Sequence, residues 1–287
     1  MQSLSLQLHV LHLRLSAVRS RIATGVCPAA LLLAALTAPQ AMAAAAVPEA
    51  IPVTPVTSPA PGAAPQWQFT VSPYLWGAGI RGDVGHQATG TQFVKSDFRD
   101  IARDLDVAAM VTGEARYGPY SLLTDVMYIS TTTKTRLPDG APAKHLNTDS
   151  KTFSGFLGGG VALRDTPDGH LDVTGGVRVW YSSTTLSLHG GEAGGTSGSD
   201  SATWADLMAG LRGRYALTPS VWLSGWGMAG AGQSRADWDA AVLVSRAFTP
   251  AFQVAAGYRA TGVNYRHDGF VYDMVQQGPL LGISGRF

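Results

Sequence analysis

From Trp67 onward, apolar and polar residues alternate with a period of two over unusually long stretches. Between 171 and 179, Leu, Val, Gly, Val and Val alternate with Asp, Thr, Gly and Arg. Successive side chains of a β-strand point to opposite faces, so this pattern predicts strands with one apolar face and one polar or glycine face. The region therefore favours an all-β fold.

Turn signals divide this region into ten predicted strands. Short connections rich in Gly, Pro and small polar residues alternate with longer ones. The short ones are 118–119, 166–169, 218–220 and 249–251. The predicted strands are 66–81, 106–117, 120–132, 151–164, 170–187, 203–217, 221–232, 238–248, 252–264 and 271–287. Most reach the roughly 9–11 residues that a tilted strand needs to cross a bilayer.

The strand pattern predicts a closed sheet. In lipid every backbone donor and acceptor must be paired within the protein, so a spanning sheet has no free edge. We therefore predict a closed antiparallel up-and-down transmembrane β-barrel of about ten strands. A short helix is expected in the first extracellular loop, at 96–105, with Ser96 as its N-cap. A soluble β-sandwich would explain the alternation, but not the even strand count or the asymmetric connections.

The first 65 residues differ from the rest. Three arginines precede the apolar run 29–36, and Ala41-Met42-Ala43 fits a signal peptidase site, so 1–43 is predicted to be a cleaved signal peptide. The translation start could also lie downstream, for instance at Val18. Residues 44–65 are rich in Pro and Ala and indicate an extended periplasmic linker, which leaves 66–287 as the barrel. Export of this kind favours the outer membrane of a Gram-negative bacterium.

Composition excludes several functions. Without the three signal arginines, 18 basic residues remain of 21, against 20 acidic ones, so the basic stripe that nucleic acid binding requires is absent. The only cysteine is Cys27, and the histidines are scattered, so we expect no disulfide, metal or cofactor. The expected partners are outer-membrane lipid, the barrel insertion machinery and, if the lumen conducts, small solutes. A monomer is expected.

Aromatic residues are predicted to form two belts, one at each membrane interface. The belt beside the tight turns comprises Trp67, Phe69, Tyr117, Tyr120, Tyr215, Trp222, Phe248, Phe252 and Phe287. The belt at the opposite ends comprises Trp76, Tyr128, Tyr181, Trp204 and Trp238. The alternation leaves open whether Leu223 or Trp222 faces lipid. It places Asp273 on the lipid side unless a bulge at 278–279 intervenes.

Phe287 ends an amphipathic strand, with Ile283 and Leu281 on the same side. A terminal aromatic residue on such a strand resembles the signal that outer-membrane insertion machinery reads. We therefore expect Phe287, Ile283 and Leu281 to act as an assembly signal.

Several stretches resemble a family of bacterial outer-membrane β-barrels with no assigned activity. They are 72–82 (SPYLWGAGIRG), 96–128, 210–215 (GLRGRY), 268–273 (DGFVYD) and 278–282 (GPLLG). The resemblance covers essentially 66–287, and it implies the fold and the location but no activity. Arg246 departs from it, because the lipid face there should carry an aromatic residue; an arginine near the rim can extend its charge to the interface.

The alternation directs a set of charged residues into the lumen. They are Glu114, Arg116, Asp125, Arg164, Asp172, Arg178, Asp206, Arg212, Arg214, Asp239, Arg259 and Arg286. No lysine occurs among them, which favours ion pairs in a confined space, where the planar guanidinium binds carboxylates through two hydrogen bonds. They form either a structural network or, with two arginines in excess, the lining of an anion-preferring pore.

We therefore expect an outer-membrane barrel without a catalytic site, either structural or forming a narrow pore for small solutes. Adhesion or ligand binding by the loops 82–105, 133–150 and 188–201 is one alternative. An outer-membrane barrel hydrolase is another, since acidic and histidine residues occur in the predicted loop rim. They are His86, Asp97, Asp100, His145, His189, Asp237, His267 and Asp268. No motif fixes the geometry that proton transfer needs.

Overall fold

The structure, a computed structural model, describes residues 65–87 and 90–287. The predicted signal peptide and all but the last residue of the predicted linker lie outside these residues. The elements, in chain order, are β1 (Trp67–Trp76), β2 (Gly79–His86), β3 (Gly90–Ser96), α1 (Phe98–Arg103), β4 (Leu105–Tyr117), β5 (Tyr120–Arg136), β6 (His145–Thr166), β7 (Gly169–His189), β8 (Ser197–Thr218), β9 (Val221–Gly232), β10 (Ala236–Ala247), β11 (Phe252–His267) and β12 (Phe270–Arg286). Within the described residues, no helix is long and apolar enough to cross a membrane.

The sheet closes into an antiparallel barrel because β1 pairs with both β4 and β12. β2 continues β1 along the same neighbouring strand, β12. Trp76 pairs with Leu280 and Gly79 with Gln277, so the register is kept across the two residues between β1 and β2. β3 is only the hairpin partner of β2. With β1 and β2 counted as one, the wall has ten strands, which confirms the predicted fold.

The two faces of the wall have opposite character, as the alternation predicts. On β7, Val173 and Val177 are 45% and 42% exposed, whereas Asp172 and Arg178 are 0% and 2% exposed. Apolar side chains on the outside and charged ones on the inside reverse the arrangement of a soluble protein. The outer face is therefore suited to lipid.

The two ends of the barrel differ. At one, here called the turn end, β4–β5, β6–β7, β8–β9 and β10–β11 are joined by two to four residues. At the other, the loop end, three strands are long: β6, β7 and β8 have 22, 21 and 22 residues, against 12 each in β9 and β10. About half of the predicted loops 133–150 and 188–201 is therefore strand, because their Ser- and Thr-rich segments continue the ladders.

The first loop contains the predicted helix, but Ser96 does not cap it. Ser96 ends β3, and Asp97 is the N-cap, without a side-chain cap hydrogen bond. The Asp97 carbonyl accepts from the amides of Asp100 and Ile101 at 3.0 and 3.2 Å. Ser96 is held instead by the hairpin, where it pairs with Ile80.

The turn-end aromatic belt is largely confirmed. Trp67, Tyr120 and Phe248 are exposed on the outer face, and the rings of Trp67 and Tyr117 lie 5.1 Å apart. Phe287 is exposed beside them, and its amide donates to the carbonyl of Phe69 at 2.9 Å. Leu281 and Ile283 are exposed on the same strand. Their role in assembly stays a prediction.

Three aromatic residues predicted for the belts lie in the lumen instead. Trp76 and Trp204 are 5% and 1% exposed, whereas Tyr181 and Trp238 remain partly exposed on the outer face. Trp222 also faces inward, since its ring contacts Arg214. An indole suits a charged lumen as well as an interface, because it offers an N–H donor and a face for cations, so belt membership cannot be assigned by residue type.

Strand pairing shows which face of the wall carries the two residues that the alternation left uncertain. Leu223 pairs with the exposed Tyr215 and Val244, so Leu223 and not Trp222 faces outward. The β11–β12 ladder runs without a bulge through 278–279, so Asp273 stays on the outer side, near the loop end. Asp273 binds Arg266 at 2.9 Å.

Candidate functional site: the barrel lumen

An ion-pair network centred on Asp239 crosses the middle of the lumen. Arg178 and Arg259 each place Nη2 2.6 Å from Oδ2 of Asp239. The other carboxylate oxygen accepts from Nε1 of Trp226 at 2.9 Å. Arg178 also binds Asp237, with Nη1 3.0 Å from Oδ1. Asp239 is thus shared by two guanidinium groups, and Arg178 has a second carboxylate, that of Asp237.

Arg259 extends the network to the opposite wall. Its Nη2 lies 2.5 Å from Oδ2 of Asp125, and its Nη1 donates to the Tyr74 hydroxyl at 2.8 Å. That hydroxyl donates in turn to Asp125 at 2.8 Å. The guanidinium carbon lies 5.3 and 5.6 Å from the rings of Trp76 and Trp226. Side chains from β1, β5, β7, β9, β10 and β11 therefore meet at one level of the barrel.

The lumen on the loop-end side of this network is filled by aromatic rings. Trp204 stacks on Tyr265 with a centroid distance of 4.4 Å and lies 6.1 Å from Trp180. Trp180 donates from Nε1 to Asp237 at 2.8 Å. Asp206 is buried beside them; its Oδ1 accepts from the amide of Ser234 at 2.8 Å. These residues add an apolar layer to the ionic one.

On the turn-end side a second cluster surrounds Glu114. Arg116 and Arg212 bind the two oxygens of Glu114 at 3.1 and 2.6 Å. Arg116 also binds Asp172, and Nδ1 of His170 lies 3.3 Å from Oδ2 of Asp172. Both acids are therefore matched by arginines, and Arg116 is shared between them.

Two arginines further toward the turn end have no acidic partner among the described residues. Arg214 donates from Nη2 to Gln253 at 3.1 Å and lies over the Trp222 ring, 4.2 Å from its centroid. Its Nε is buried and has no hydrogen-bond partner within the described part of the chain. The side chain of Arg286 forms no ion pair or hydrogen bond there either. The positive charges left over therefore collect at this end.

These arginines line a cavity of about 500 Å³. Its lining extends from Asp239 at mid-lumen to turn residues such as Gly118 and Pro167, so the cavity opens at the turn end. Six arginines and four acidic residues line it, and two further acids, Asp172 and Asp237, bind the lining residues Arg116 and Arg178. The lumen is thus open from the turn end to the Asp239 network and packed beyond it.

Eleven of the twelve predicted lumen residues face inward, and Arg164 does not. A β-bulge between Ala162 and Arg164 shifts the register, so Arg164 pairs with Leu171, which is 39% exposed on the outer face. Asp206 faces the lumen but joins no ion pair among the described residues, although it lies directly opposite Arg178. Arg178 is directed instead to the two acids of β10.

The sequence prediction missed other lumen residues. Asp237 was placed in the loop rim, yet it has the same parity as Asp239 and belongs to the network. Tyr74, Trp76 and His170 likewise have inward parity. The signal that could have found them is the alternation itself, extended to residues that are not arginines or acids.

The rim residues considered for catalysis whose contacts the structure describes lie at several places on the barrel. His145 and His189 are cross-strand partners, and His267 lies 3.6 Å from Asp268 in an exposed turn. Asp237 lies in the lumen, bound to Arg178. No group of three or more potential metal ligands exists among the described residues. Arg246 lies on the outer face, 5.5 Å from the Phe248 ring, as the rim position predicts.

A closed ten-stranded antiparallel wall with an apolar outer face and a charged lumen defines the chain as a β-barrel of the outer-membrane type. Neither a protein-family model nor a curated protein matches the sequence. Similar solved structures include the outer membrane protease OmpT from Escherichia coli, with 12% identity and a TM-score of 0.45 over 83% of this chain and 99% of that one.

Two further solved structures are also similar. The attachment invasion locus protein Ail of Yersinia pestis has 13% identity and a TM-score of 0.35, over 77% of this chain and 98% of Ail. Neisserial surface protein A has 14% identity and a TM-score of 0.32, over 77% of this chain and 97% of that one. Similarity of this kind concerns the fold and transfers no activity to this chain.

Proposed function

We propose that this chain is a structural outer-membrane β-barrel whose lumen is held closed and which has no catalytic site. The observation that carries the proposal is the network in which Asp239 binds Arg178 and Arg259 and Arg259 binds Asp125, so that β7, β10 and β11 are joined to β5 across mid-lumen. A buried ionic network with an aromatic layer on one side leaves no continuous water path. A monomer suffices, because the closed wall has no free edge.

The same features support an orientation. The turn end lies in the periplasm, and the loop end projects from the outer leaflet, because short periplasmic turns are usual in bacterial barrels. Lipid covers the apolar outer face, and the exposed rings at the turn end lie at headgroup level. The insertion machinery is the further partner, with Phe287, Ile283 and Leu281 as its signal.

A narrow pore for small solutes is the second candidate. The cavity and the two arginines without an acidic partner, Arg214 and Arg286, favour it, because unpaired positive charge attracts anions into a lumen. Conduction would require the Asp239 network to open. Adhesion or ligand capture at the loop end is a weaker alternative, since the polar side chains of the long strands there are carried on regular antiparallel sheet.

Single-channel recording separates the first two candidates. The full chain is exported in a Gram-negative host, purified from its outer membrane and inserted into planar bilayers, beside Arg212→Ala/Arg214→Ala. We expect no conductance steps from either protein, because both retain the Asp239 network. A heat-dependent shift in mobility on detergent gels confirms folding. Reproducible anion-biased steps that change in the double variant would establish the pore and end the closed-barrel proposal.

A further inference from the structure

We infer that the turn-end cavity is a binding site for small oxyanions, with Arg214 and Arg286 as the residues that bind a carboxylate or phosphate group. This inference goes beyond the structural role proposed above. It requires access from the turn end only, and it is independent of conduction.

The first argument is the unequal pairing of charge along the lumen. Arg116 and Arg212 have the carboxylate of Glu114 at 3.1 and 2.6 Å. Arg214 has only a neutral amide oxygen, that of Gln253, and Arg286 has no side-chain partner among the described residues. Buried or half-buried cations without a counter-charge are costly, so the site favours an anion from solution.

The second argument is that the unpaired arginines act on each other. Arg214 lies within electrostatic range of the like charges of Arg286 and Arg212, and of the opposite charge of Glu114, which already binds Arg116 and Arg212. A bound anion would relieve this repulsion. Guanidinium groups also suit oxyanions geometrically, because their parallel N–H groups match two oxygens of a carboxylate or phosphate.

The third argument is space at the same place. Arg214, Arg286, Trp222, Gln253 and Ser284 line both the large cavity and an adjoining one of about 40 Å³ beneath the β8–β9 and β10–β11 turns. The Trp222 ring fixes one face of the Arg214 guanidinium, and Gln253 holds its Nη2. A preorganised donor loses less entropy on binding, so the site is positioned before the anion arrives.

The size of the cavity bounds the ligand. About 500 Å³ is within the range of pockets for small molecules, and the walls offer hydroxyls of Ser72, Ser224 and Ser284 besides the arginines. This suits a small free solute that carries one or two carboxylates or a phosphate. An anionic lipid headgroup offers the same phosphate chemistry, so the experiment must separate the two sources.

Calorimetric titration of the purified full chain in a non-ionic detergent at low ionic strength tests the site. The probes are succinate, inorganic phosphate, monomeric dihexanoylphosphatidylglycerol and, as a cation, putrescine. We expect saturable binding of succinate or phosphate, one per chain, and none of putrescine. Arg214→Gln/Arg286→Gln should weaken the anion affinity about tenfold or more, because two charge-assisted contacts are lost.

Arg246→Gln is the matched control, since Arg246 lies on the outer face near the same end and not in the cavity. Its affinity should equal that of the wild type. If the double variant does not fold, Arg286→Gln alone gives the same test, because that side chain holds no described contact. No saturable binding of either free anion, binding of the lipid alone, or equal weakening in Arg246→Gln would overturn the inference.

The result is separable from the closed-barrel proposal. Conductance steps together with site-dependent anion binding would end that proposal and support this inference. A silent bilayer without anion binding would do the reverse.

Discussion

Asp239→Asn is expected to lower the free energy of unfolding by about 2 kcal/mol or more, because two buried arginines each lose a charge-assisted hydrogen bond to this carboxylate. The substitution keeps the volume of the side chain and removes the charge that Arg178 and Arg259 share. Both arginines are buried; Arg178 retains Asp237 and Arg259 retains Asp125 as its remaining close anion. Urea unfolding of the vesicle-inserted protein, followed by tryptophan fluorescence, measures the loss.

Asp273→Asn provides the comparison. Asp273 binds Arg266 on the outer side near the loop end, where both side chains are about a third exposed (35% and 34%). An ion pair open to solvent contributes at most about 1 kcal/mol, so this variant should unfold close to the wild type. Equal destabilisation by the two substitutions would show that the lumen network does not depend on the charge of Asp239.

Gly210→Ala is expected to destabilise the barrel by about 2 kcal/mol or more and to reduce the folded yield. Gly210 lies on the lumen face of β8, paired with Met228 of β9. A Cβ atom there would overlap the carbonyl oxygen of Gly227 and crowd the Met228 backbone at 2.7 Å. Backbone atoms of a closed sheet cannot move aside independently, so the strain spreads along β8 and β9.

The same substitution on the neighbouring strand, β9, tests this reasoning. Gly227 belongs to β9 and supplies the contacted oxygen, yet a Cβ at its own position meets nothing within 4 Å. Gly227→Ala should therefore fold in normal amount with nearly unchanged stability. Folded yield is read from the heat-dependent shift in gel mobility, and stability from urea unfolding. If Gly227→Ala were as harmful as Gly210→Ala, loss of flexibility and not steric overlap would be the cause.

The closed wall could be predicted from the sequence because a bilayer imposes two simple rules at once. Alternation fixes which residues face lipid, and the absence of water forces the sheet to close. The first rule predicts that Val173 faces outward and Asp172 inward, and the second predicts the pairing of β1 with β12. Charged lumen residues such as Arg178 and Arg259 were found for the same reason.

Arg164 shows where the rules stop. The one extra residue at the β6 bulge moves the side chains that follow it to the opposite face of the wall. Leu163 and Arg164 carry no local sequence signal of a bulge. The ion-pair partners across the lumen likewise depend on the three-dimensional arrangement of the strands. Arg178 lies opposite Asp206 in the ladder but binds Asp237 and Asp239 from β10, because side chains in a narrow lumen reach across it.

The unequal strand lengths set the directions from which the outside of the protein can be approached. At a rise of about 2.5 Å per residue along the barrel axis, β7 is about 50 Å tall and β10 about 30 Å. The loop-end rim is therefore oblique, high along β6, β7 and β8 and low at β9 and β10. A large molecule that arrives over β9 and β10 reaches the low part of the rim, whereas one that arrives over β6, β7 and β8 meets the wall about 20 Å sooner.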